Sequence, residues 1–108
     1  MKILNLHKTV TTAELYELLK RKLNVLFHEQ KQSDINFSIL EKDNAVEIWQ
    51  PEIYEGFLFR IEPDGINLNV TRSEHYVDDV NSITVESILN TLFEELAGEG
   101  GISLALEG

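Results

Sequence analysis

Cysteine is absent from the 108 residues, which excludes disulfides, thiolate metal ligands and a cysteine nucleophile. No apolar run approaches the roughly 20 residues a membrane-spanning helix needs. The opening Met-Lys-Ile-Leu-Asn-Leu-His has neither the continuous apolar stretch nor the small-residue cleavage site of a secretory signal, so the expected location is cytoplasmic. Glycine-rich phosphate cradles are missing too: Gly98, Gly100 and Gly101 follow a helical pattern instead of opening one, with no lysine beside them. Histidine is limited to His7, His28 and His75, and His28-Glu29 lacks the second histidine four residues on that a zinc-binding helix uses. No catalytic residue, cofactor or metal site is assigned, and the chain is not expected to be an enzyme. His75 with Asp78 and Asp79 is the best metal-like grouping. It matches no calcium loop and reads first as solvated acid. Metal-dependent or hydrolytic activity centred on residues 74–79 is kept as an alternative.

Basic residues are the other shortage. Nine Lys and Arg stand against nineteen Asp and Glu, a net charge of −10. Residues 1–31 hold six basic and three acidic side chains, for +3, whereas residues 32–108 hold three basic and sixteen acidic, for −13. Such a field repels nucleic acid and anionic membrane, which both call for clustered Lys and Arg. A basic protein partner is its natural complement, although acidity also serves solubility alone.

What is present reads as one folded domain. At 43% hydrophobic and 26% charged, the composition is that of a globular chain and not of a disordered one. The central stretch Phe57–Val70 holds two β-favouring runs around Pro63-Asp64-Gly65, a hairpin signal. Alternation puts Phe57, Phe59, Ile61, Ile66, Leu68 and Val70 on one dry face, with a two- or four-residue loop that pairs Ile61 with Ile66 or Leu68. A second hairpin runs from Ile35, Phe37 and Ile39 through Asp43-Asn44 to Val46 and Ile48, and Pro51 ends it.

Two amphipathic helices flank the strands. The first spans Thr12 to about Glu29, with a Thr11/Glu14 capping box and a Val10/Leu15 staple, and its stripe is Leu15, Leu18, Leu19, Leu23, Leu26 and Phe27. The second is expected to be capped by Thr84, with Val85, Ile88, Leu89, Leu92, Phe93 and Leu96 as its stripe and Gly98 as its stop. Between them, Ser73–Ser82 has no pattern. The expected fold is α+β in the order α-β-β-β-β-α-(β): an antiparallel four-stranded meander with both helices on one face. Residues 1–10 are a lead-in whose loose alternation of Leu4, Leu6 and Val10 fits a short strand or an extended segment, 11–98 the core, and 99–108 a fifth strand or an arm lent to another subunit.

The open side of such a sheet carries Leu40, Trp49, Leu58, Arg60, Asn67 and Asn69, an apolar cluster ringed by charge of the kind that marks contact sites. The leading functional expectation is a small binding or inhibitor protein that meets a basic partner, as a toxin-neutralising, nucleic-acid-mimicking or chaperone-like protein does. Trp49 and Tyr54 are the anchor candidates; Glu74, Asp78, Asp79, Glu94 and Glu95 are the steering carboxylates. Glu94 and Glu95 also face the negative end of their helix dipole, a cost a basic partner relieves. The remaining alternative is an assembly component whose tail completes a neighbour's sheet, with a homodimer left open.

Overall fold

A computed structural model describes residues 1–107. The elements are β1 (Lys2–Asn5), α1 (Thr12–Lys31), β2 (Ser38–Lys42), β3 (Ala45–Trp49), β4 (Phe57–Asp64), β5 (Asn67–Arg72), a 3-10 turn at Glu74–Tyr76, α2 (Val80–Ala97), a second 3-10 turn at Gly98–Gly100, and β6 (Ser103–Glu107). The strands form one antiparallel sheet ordered β2-β3-β4-β5-β1-β6. The α+β class and the meander β2 to β5 match expectation. The lead-in and tail extend the sheet to six strands, since β1 docks on β5 and β6 on β1.

The caps explain where the helices start. Glu14 N donates to Thr11 Oγ1 at 3.1 Å and Thr11 N donates to Glu14 Oε1 at 3.4 Å, closing the capping box of α1. In α2 the cap is Asp79, not Thr84: Asp79 Oδ1 accepts from Ser82 N at 3.0 Å, and the helix begins at Val80. Val80 and Ile83 in that first turn are 61% and 50% exposed, so it adds nothing to the buried stripe by which the sequence advertises a helix. Thr84 sits inside the helix and donates to Val80 O.

Three strand details depart from simple alternation. Residues 35–37 are held by α1 instead of the sheet: Phe37 N donates to Asn24 Oδ1 at 2.7 Å, Asn24 Nδ2 donates to Phe37 O at 3.0 Å, and His28 Nε2 lies 2.7 Å from Ile35 O. Hence β2 starts only at Ser38. In the central hairpin Ile61 pairs with Val70 and Asp64 with Asn67, so Pro63 stays in the strand and the loop is Gly65-Ile66. Gly65 has φ +61°, the conformation a two-residue II′ loop requires at its first position. Ile61, Leu68 and Val70 keep their common face, but Ile66 moves into the turn and is 42% exposed.

The third departure reverses two side chains. Ile48 pairs with Phe59 but Trp49 pairs with Phe57, which leaves Leu58 as the extra residue of a β-bulge. Leu58 therefore turns into the core and is fully buried, whereas Phe57 joins the face of Trp49 and is only half-buried. The expected sides of Phe57 and Leu58 are thus exchanged.

One core results. Leu19, Leu23 and Phe27 of α1, Val85, Leu89 and Phe93 of α2, and Ile48, Phe59, Ile61 and Leu68 of the sheet belong to a single buried cluster. Each such side chain contributes roughly 1.5 to 3 kcal/mol, against about 1 for a helix cap, so packing dominates. Both helices lie on this side. Among the described residues no helix covers the other face of the sheet, and none is long and apolar enough to cross a membrane.

Candidate functional site

The uncovered face is organised around a buried carboxylate. Glu47 and Trp49 project from the same side of β3, and Glu47 stands opposite Arg60 on β4. Arg60 Nη1 donates to Glu47 Oε2 at 2.6 Å, and Trp49 Nε1 donates to Glu47 Oε1 at 2.8 Å. Both oxygens are engaged, which is why a charged group survives at 5% exposure. Among the described residues Glu47 is the one charged side chain that is buried. The hydrogen bond to Glu47 holds the half-buried Trp49 indole by its N–H.

A groove lies at the end of the sheet, where β4 begins and β5 ends. Phe57, the cross-strand partner of Trp49, lines it together with Thr71 and Arg72 of β5 and with Glu55, Glu74, His75 and Tyr76 from the flanking loops, around about 890 Å³ of space. The two loops are stitched together. Glu55 N donates to the Tyr76 hydroxyl at 2.8 Å, and the Tyr54 and Tyr76 rings meet edge to face with centroids 4.7 Å apart. Glu55 and Glu74 are exposed on the walls. Arg72 is committed elsewhere, its Nη1 lying 3.1 and 3.3 Å from the two oxygens of Glu86 on α2.

The partner-contact candidates separate. Trp49 and Glu74 belong to this face and its groove. Asp78 is exposed on the adjoining loop. Asp79 is spent as the α2 cap, and Tyr54 is a correction: it is 4% exposed, and its hydroxyl donates to Asp79 Oδ1 at 2.8 Å and accepts from Asn81 Nδ2 at 3.1 Å. An anchor must be reachable, and Tyr54 instead joins the 51–56 loop to α2. Glu94 and Glu95 lie in the helical layer, away from the open face; Glu95 is paired with Lys22 of α1 at 2.6 Å. Leu58, expected on this surface, is inside it. Among the described residues no three His, Asp or Glu side chains gather to hold a metal ion, so the 74–79 loop has no assembled ligand set.

Burial raises the Tyr54 phenol above its ordinary value near 10, and the hydrogen bond to Asp79 adds to the rise while Asn81 opposes it. The neutral form is the one the fold favours. The stability this group contributes is therefore complete below pH about 10 and lost as pH climbs through the higher folded value. Tyr54→Phe is expected to be less stable than the parent at pH 7 and to lose less on alkaline titration, as measured by urea unfolding at several pH values.

Glu47, Glu55, Phe57, Arg60 and Tyr76 escaped sequence reasoning as site residues. The signal available was Glu47 and Trp49 two apart on one strand face, with Arg60 on the same side of the next strand. Comparison with protein-family models, curated proteins and solved structures returns no match.

Proposed function

We propose that the chain is a small acidic binding or inhibitor-type protein that meets a basic partner protein across the open sheet face and its groove. The observation behind this reading is Phe57, which is the cross-strand neighbour of Trp49 and lines the groove with the exposed carboxylates of Glu55 and Glu74. Opposite charge accelerates encounter, while fixed aromatic surface supplies affinity. The negative field of residues 32–108 acts in the same direction. Capture of a partner from native extract is expected at low salt and to weaken at about 0.5 M, where the Debye length is only a few ångströms. Trp49→Ala is expected to lower affinity for that partner by about tenfold or more, the scale of a hot-spot residue, while Glu94→Gln leaves it unchanged. Capture insensitive to both salt and Trp49→Ala overturns the reading.

A second reading has one observation in its favour. Strand β6 ends the sheet, with Leu104 and Leu106 exposed at 54% and 49%, and open strand edges template pairing with another chain. On this reading the protein is an assembly component that joins a second copy through β6. A monomeric mass in solution across the concentration range excludes it.

A further inference from the structure

We infer that the groove between Glu55 and Glu74 receives an arginine side chain from an extended segment of its partner. This rests on the reading above and narrows it from a basic partner to one chemical group. The lining combines two features that a guanidinium uses together: the carboxylates of Glu55 and Glu74, and the aromatic side chains of Phe57, His75 and Tyr76. A guanidinium is flat, weakly hydrated and forked, so it stacks on a ring while donating to carboxylates. A lysine ammonium satisfies the charge but gains less from the rings and gives up a tighter water shell.

The groove is also prepared in advance. Tyr76 cannot swing, because its hydroxyl accepts the Glu55 N–H at 2.8 Å and its ring edge rests against Tyr54. Phe57 is held on this face by the bulge that turns Leu58 inward. Two cationic groups share the lining, the Met1 terminus and Arg72, and Arg72 shares its charge with Glu86 on α2. A space of about 890 Å³ exceeds what one side chain fills. An extended segment fits it better than a free amino acid.

The test is titration of the intact protein with a blocked Gly-Arg-Gly-Arg-Gly peptide and its lysine and citrulline counterparts, followed by amide shifts in NMR. The arginine peptide is expected to move the signals of Glu55 to Phe57 and Ser73 to Tyr76 in a saturable way. The lysine peptide is expected to bind about fivefold more weakly, and the uncharged citrulline peptide not at all. Glu55→Gln with Glu74→Gln, both exposed positions, should remove the response, and Phe57→Leu should erase the preference for arginine. Equal binding of arginine and lysine peptides at these signals overturns the arginine assignment and leaves the basic-partner reading standing. Shifts confined to other surfaces overturn the groove as the site. No response to either cationic peptide, together with no salt-sensitive capture of a protein, removes both.

Discussion

Leu58→Ala is expected to lower the free energy of unfolding by about 3 kcal/mol, within the range measured when buried leucines are cut back to alanine. Leu58 is fully buried and belongs to the common core. The transfer term and the cavity left between the sheet and the helices both act against the variant. Leu40→Ala supplies the control. Its side chain is 44% exposed on the opposite face, and the change should stay within about 0.5 kcal/mol. Urea unfolding of the two variants reads the difference directly, with little change in m value. A cost below about 1 kcal/mol for Leu58→Ala, on the scale of a surface substitution, would mean that β4 alternates without a bulge. Phe57 would then return to the core side and the groove would lose its floor.

Arg60→Ala is the second change with a large expected effect. It strips Glu47 of its cation and leaves a carboxylate at 5% exposure with the Trp49 indole N–H as its remaining side-chain donor. Breaking a fully buried pair costs about 3 to 5 kcal/mol; with the Arg60 side chain 26% exposed, about 2 to 3 is expected. Glu47→Leu combined with Arg60→Met should recover most of that loss, because two apolar groups of similar size need no desolvation of charge. The cycle of single and double variants isolates the pair. Salt offers a further check. The Glu47–Arg60 contribution should persist at high ionic strength, whereas the exposed Lys22–Glu95 pair, worth under about 1 kcal/mol, should fade. If Arg60→Ala is neutral, Glu47 is solvated and Trp49 is not held by it.

Much of the fold was legible because strong local signals agree with the global packing. The Thr11/Glu14 box, the stripe from Leu15 to Phe27, the left-handed pair Asp43-Asn44 at φ 52° and 61°, and the Gly98 stop all stand where the sequence puts them. What was not legible depends on partners distant in the chain. Asn24 sits on the polar side of α1 by periodicity, yet it substitutes for a strand by bonding both backbone groups of Phe37. The Leu58 bulge exists only in relation to Ile48 and Trp49 across the ladder. The loose alternation of Leu4 and Leu6 leaves strand and lead-in undecided, and β1 becomes a strand because β5 and β6 both bond to it.

The candidate site divides along the same line. That Trp49 and Arg60 occupy the open face followed from counting residues along each strand. That they converge on Glu47 required the β3–β4 register, which no single strand encodes. Tyr54 was misread for a related reason: in a six-residue loop an aromatic side chain shows no periodicity, and only the positions of Asp79 and Asn81 reveal that its hydroxyl is claimed.

The pairing of β1 with β6 bears on how the domain is made. Lys2 lies opposite Glu107, so β1 waits for the rest of the described strands to be made before its outer neighbour arrives. Closing a loop of that length carries a high entropic cost, and contacts of such separation slow folding. Until β6 arrives, β1 is the border of the sheet, and its outward amide groups are open to pairing with another chain.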